Sequence, residues 1–131
     1  MKTTTRLPLV AVLILGALTS CSPSTRIALK NDTGAEIETA IGQAPTRLAA
    51  GETSRPFILA WGAQGHWSKT VTAGGCTWTW ADDDYGRDLR LPPPTLTQPP
   101  TLLVIDSAFN LTALNENGDA LGQLRPRRSC P

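Results

Sequence analysis

Three features of the chain predict an all-β fold, a small antiparallel β-sandwich with a small barrel as the second choice. Residues 76–80 alternate without interruption, Cys76, Trp78 and Trp80 on one face and Thr77 and Thr79 on the other, which is the two-residue period of a half-buried strand. Apolar segments of similar length recur along the chain, separated by Gly, Pro and Asn turn chemistry. Beyond residue 25, no apolar stripe at helical spacing runs for about ten residues between caps.

Taken in order, Ile27 and Leu29 alternate with Arg26, Ala28 and Lys30. Asn31-Asp32-Thr33-Gly34 then supplies turn chemistry before Ile37, Thr39 and Ile41 alternate with Glu36 and Glu38, predicting a first β-hairpin. Ala49-Ala50-Gly51-Glu52 makes another turn. Phe57, Leu59 and Trp61 follow at period two, with Pro56 at the strand's edge or start, and the glycines at 62 and 65 break that strand. Trp67, Val71 and Ala73 share one face, Ser68, Thr70 and Thr72 the other, and Gly74-Gly75 turns the chain into 76–80. The unbroken apolar run 102–105 predicts a central strand covered on both sides. Residues 109–114 alternate again, and Asn117-Gly118 marks a turn before a last strand over 120–124. Pro92, Pro93, Pro94, Pro99 and Pro100 cannot donate to a sheet and predict a crossover or edge segment of polyproline II character. No two of them stand three apart, as a proline-docking motif requires.

About seven short strands of this kind pack as two sheets, an architecture that resembles immunoglobulin-like or transthyretin-like sandwiches. A cysteine with tryptophan neighbours on one strand is similar to the immunoglobulin placement of Trp against an inter-sheet disulfide, although the spacing of that family is absent.

The N-terminus carries the most specific motif. Lys2 and Arg6 form a positive segment, residues 7–18 an apolar one interrupted only by Pro8 and Gly16, and Leu18-Thr19-Ser20-Cys21 closes it. The apolar segment is short for a membrane span and has the layout of a secretory signal. The closing tetrapeptide resembles the lipobox of bacterial lipoproteins, and the rest resembles the small β-sandwich lipoproteins of the bacterial envelope. The resemblance implies diacylation of the Cys21 thiol, cleavage before it by signal peptidase II, and acylation of the new amino group. It divides the chain into a signal peptide (1–20), a short lipidated tether (21–25), a sandwich domain (26–124) and a basic C-terminal tail (125–131). A tether of that length lets the domain stand only on the order of 15 Å from its anchor. Ser22, where aspartate commonly retains such proteins at the inner membrane, implies the outer membrane, facing the periplasm.

Cleavage removes Lys2 and Arg6 from the 12 basic residues and leaves ten against 11 acidic ones. That balance gives no clustered positive charge for nucleic acid, so no nucleic-acid partner is expected. The 111 residues left suit one domain. With Cys21 claimed by lipid, Cys76 and Cys130 remain as a pair. In an oxidising compartment they are a disulfide candidate whose loop would restrict the unfolded chain by roughly 4 kcal/mol. The alternative is two free thiols, one buried and one on a loose tail.

Catalysis needs partnered groups, and the single histidine, His66, lies in the loop Gly62-Ala63-Gln64-Gly65-His66 with no second histidine to complete a triad or a conventional zinc site. Asp82, Asp83, Asp84 and Asp88 form the densest acidic cluster. Their spacing departs from a calcium-binding EF-hand loop, and a solvated turn is the plainer reading. Trp78 and Trp80, alternating with threonines, are expected in the core, whereas Trp61, His66, Trp67 and Tyr85 are the candidate binding surface. Arg125, Arg127 and Arg128 read as a solvated tail within reach of anionic headgroups. Together these features lead to the expectation of a membrane-anchored, non-enzymatic binding or structural module with no cofactor or metal, partnered by the membrane and by an envelope protein or glycan. A periplasm-facing inhibitor of a lysozyme or protease is the alternative. A hydrolase using the carboxylates of 82–88 is the third class.

Overall fold

The structure is a computed structural model that describes residues 24–41, 45–60, 70–80, 89–92 and 99–131, and the described residues form ten strands and no helix. One sheet contains, in spatial order, β4 (Phe57–Ala60), β1 (Ser24–Asn31), β7 (Thr101–Ile105), β8 (Leu111–Leu114) and β9 (Ala120–Leu124). The other contains β10 (Pro126–Ser129), β6 (Cys76–Trp80), β5 (Thr70–Ala73), β2 (Ile37–Thr39) and β3 (Thr46–Leu48). The result is the expected two-sheet sandwich and not a closed barrel.

Period-two alternation sorts the side chains as the sequence predicts. Ile27 and Leu29 of β1, Leu103 and Ile105 of β7, Leu111 and Ala113 of β8 and Leu124 of β9 point inward. They meet Ile37, Leu48, Val71 and Trp80 from the second sheet, with Ile41, Leu89 and Leu91 from the connections, in one buried cluster. Burying an Ile, Leu or Val side chain stabilises by about 1.5–3 kcal/mol, so this shared core is the main force holding the sheets together.

The pairing departs from the sequence reading in four places. β1 and β2 do not form a hairpin: β1 pairs with β4 and β7, whereas β2 pairs with β3 and β5 in the opposite sheet. The turn after Asn31 therefore carries the chain from one sheet to the other. Secondly, β1 and β7 are parallel, Ile27 beside Thr101 through Asn31 beside Ile105, while every other strand pair is antiparallel. A parallel pair needs a long crossover, and here most of the chain lies between its members. Thirdly, β7 is central, but it is covered fully on one face only, since Leu102 and Val104 on the outward side stay half-exposed. Lastly, the segment 125–131 is not a loose tail, because β10 pairs with β6 from Pro126 opposite Trp80 to Ser129 opposite Thr77.

Asn31 is the junction of the crossover. Its side chain is fully buried, and Nδ2 donates to the carbonyl oxygens of Ala35 (2.7 Å), Leu48 (3.0 Å) and Ala49 (3.0 Å). Its Oδ1 accepts from the Thr33 backbone N–H at 3.0 Å and the Thr33 hydroxyl at 2.7 Å. Its backbone is tied as well, the N–H donating to the Glu52 carbonyl and the carbonyl accepting from Gly51. Gly51 adopts φ +77°, a conformation that suits glycine at this turn. One carboxamide thus joins the end of β1 to the end of β3 and the start of β2.

Candidate functional site

Strand directions give the sandwich two distinct ends. Ser24 lies opposite Ala60, and β1 runs from there to Asn31, beside Ile105. Since β7 runs parallel to β1 and β8 antiparallel to it, the start of β7, the end of β8 and the start of β9 share the Ser24 end. At that end a pocket of about 250 Å³ is lined by Pro92, Pro99, Pro100, Leu114 and Leu121, with Asn117 among its polar lining residues. The prolines bring no N–H to the wall, which leaves this lining apolar. Leu114 sits where the β8–β9 register shifts at a bulge, and Leu121 follows Ala120, its partner across that shift. Asn115 is committed to the turn, since its Oδ1 accepts the N–H groups of Asn117 and Asp119, both at 2.9 Å. Thr101 and Glu116 also line it, so the pocket sets an apolar wall of prolines and leucines against a polar side that includes one carboxylate.

A second cluster lies where β6 meets β10. Cys76 and Cys130 form a disulfide with Cα atoms 4.4 Å apart, the spacing of directly opposed residues at a non-hydrogen-bonded antiparallel position. Arg128 Nη2 donates to Cys76 Sγ at 3.6 Å, and the guanidinium lies 5.8 Å from the centre of the Trp78 ring. Trp78 stacks on Phe109, ring centres 3.7 Å apart and planes 4° apart, and Trp80 donates its indole N–H to the Phe109 carbonyl at 2.9 Å. Phe109 has φ +60°, a left-handed conformation uncommon outside glycine. The surrounding turn holds it there: the Phe109 N–H donates to the Asp106 carbonyl, and Asp106 Oδ1 accepts from Ala108 and Asn110.

Comparison with protein-family models, curated proteins and solved structures finds no match to this chain.

The aromatic cluster is a clamp between the sheets. Trp80 is in the core, as its alternation predicts, and Trp78 is half-buried between Phe109 and Arg128. Changing Trp80 to Phe should cost about 1–2 kcal/mol, because the Phe109 carbonyl loses its donor while most of the ring volume is kept; a denaturant midpoint equal to wild type would show that the bond contributes nothing.

Of the residues singled out in the sequence, Cys76 and Cys130 are brought together. Their bridge replaces the free-thiol alternative and occupies both sulfurs. The bridge links neighbouring strands of one sheet, unlike the inter-sheet bridge of immunoglobulin domains. Cys21, Trp61, His66, Trp67 and Tyr85 lie outside the described residues, as do Asp82, Asp83, Asp84 and Asp88. Among the described residues no group of three or more His, Cys, Asp or Glu could hold a metal ion. Sequence reasoning missed the pocket. Its signal was the proline segment, but that Leu114 and Leu121 face it depends on the register of β8 with β9.

Proposed function

We infer that this chain is a lipid-anchored protein of the bacterial cell envelope, held at the outer membrane on its periplasmic side, and that it works as a non-enzymatic binding module. The observation that carries the reading is the short distance between motif and fold: Leu18-Thr19-Ser20-Cys21 is followed, three residues on, by β1 at Ser24. Cleavage before Cys21 would leave intact the ten strands of the described residues, and acylation at Cys21 would tie β1 to the membrane with a reach of at most about 11 Å. Ser24 and Thr25, which the sequence reading assigns to the tether, belong to β1. The Cys76–Cys130 bridge accords with an exported domain, because disulfides persist in oxidising compartments. Several acyl chains on one residue would make the attachment effectively permanent.

The test is mass spectrometry of the protein purified from its native envelope, beside a Cys21→Ala form, with identification of captured proteins. An acylated N-terminal peptide beginning at Cys21, with a partner retained by the anchored form only, is the expected result. An intact or unmodified N-terminus would overturn the reading.

A further inference from the structure

The sheet that contains β1 has an unusual outer face. Its five strands contain only two charged residues, Arg26 and Lys30, and no carboxylate. An outward sheet face in water is ordinarily polar. Here Ala28, itself buried, lies beside the half-exposed Leu102, and Leu102 beside Leu114 at the rim of the proline-lined pocket, while Lys30, Val104 and Thr112 form the next row. Opposite Arg26 stands Ile58, 63 % exposed and the largest apolar side chain left open to solvent among the described residues.

We propose that this face lies against the surface of the membrane that holds the anchor, with Ile58 entering the boundary between headgroups and acyl chains and Arg26 and Lys30 meeting anionic headgroups. The inference rests on the lipid-anchor reading and adds an orientation to it. Two observations select the membrane as occupant. One is reach: β1, which carries Arg26 and Lys30, is the strand nearest the anchor, and Arg26 lies five residues from Cys21, at most about 18 Å of extended chain. The other is charge: the strands of this sheet carry no carboxylate, and although Lys30 pairs with Asp32 at 3.4 Å beyond the end of β1, Arg26 stands beside the exposed Ile58, an apolar–cationic pair that matches an anionic lipid surface. The outer side of the second sheet differs, since Glu38 lies there beside Arg47 at 3.7 Å. The domain therefore lies on the bilayer by one sheet and presents the other to the periplasm.

The test uses the acylated full chain in vesicles containing anionic lipid, with one fluorophore placed at Ile58→Cys or, separately, at Arg47→Cys. Acylation of Cys21 and the Cys76–Cys130 bridge leave the new thiol as the reactive one, and both sites are exposed enough to accept it. Quenching by a lipid-borne nitroxide should be several-fold stronger at 58 than at 47, and Arg26→Glu should reduce it at 58. Equal weak quenching at both sites, or stronger quenching at 47, in protein whose Cys21 is acylated would overturn the orientation and leave the anchor standing. Protein that washes off the vesicles with Cys21 unmodified would overturn the anchor reading and this inference together.

Discussion

Asn31→Asp should destabilise the domain by about 3–5 kcal/mol at pH 7, a large part of the roughly 5–15 kcal/mol that holds a domain folded. The substitution keeps the size and shape of the side chain and removes only its donors. In the wild type, Nδ2 is the partner of three carbonyl oxygens, those of Ala35, Leu48 and Ala49. An aspartate oxygen there would face those carbonyls as a buried charge with no hydrogen to offer, so repulsion and desolvation act in the same direction. The loss falls on the crossover between the sheets, because the carbonyls belong to β3, its following turn and the approach to β2. Thermal unfolding of Asn31→Asp beside Asp32→Asn checks this. Asp32 is exposed and pairs with Lys30 at 3.4 Å on the surface, so its amide form should stay within about 0.5 kcal/mol of wild type. Equal midpoints for the two variants would show that the carboxamide network does not hold the crossover.

Removing the disulfide with Cys76→Ser and Cys130→Ser together should cost about 4 kcal/mol. The bridge closes a loop of sequence separation 54, and in the chain-entropy account a loop of that size restricts the unfolded state by that amount. The loss also acts locally. β10 pairs with a single neighbour, β6, where Pro126 lies opposite the core residue Trp80 and the exposed Arg128 lies over Trp78. Without the bridge the last strand should fray first, and amide exchange over 127–129 should quicken before that of β1 or β7. Reduction of the wild type should reproduce both effects. An unchanged midpoint after complete reduction, verified by thiol labelling, would show that β10 is held by pairing alone.

The extent to which this fold could be read in advance follows from what each signal encodes. Alternation in 27–30, 37–41, 70–73 and 76–80 identified which side chains face inward, since a strand places successive residues on opposite faces wherever it lies. Glycine and Asn-Gly turns were likewise legible, because their backbone demands are local: Gly51, Gly74, Gly75 and Gly118 all have positive φ. The first hairpin was misread because consecutive strands usually pair, and nothing in Asn31-Asp32-Thr33-Gly34 distinguishes a hairpin turn from a change of sheet. β3 and β10 escaped notice for a related reason. Thr46-Arg47-Leu48 is too short to show a period, and Pro126-Arg127-Arg128-Ser129 has a polar composition that suits an edge strand and a solvated tail equally well.

Asn31 shows the same limit at a single residue. In the chain it is an ordinary turn asparagine. In the fold it is buried, because Leu48 and Ala49, 17 and 18 residues away, bring their carbonyls to its amide. The outer face of the first sheet is similar, for Ile58, Arg26, Ala28, Leu102 and Leu114 come from four strands spread over most of the chain.

Composition and alternation were thus sufficient for the class of fold and the inward faces, each carried by neighbouring residues. Strand order, the parallel β1–β7 pair, the joining of Cys76 to Cys130, the role of Asn31 and the apolar outer face were settled only by the packed structure. The reason is that a strand's period specifies which side is buried and leaves its partner open. That partner is selected by the free energy of closing all the apolar faces onto one core at once.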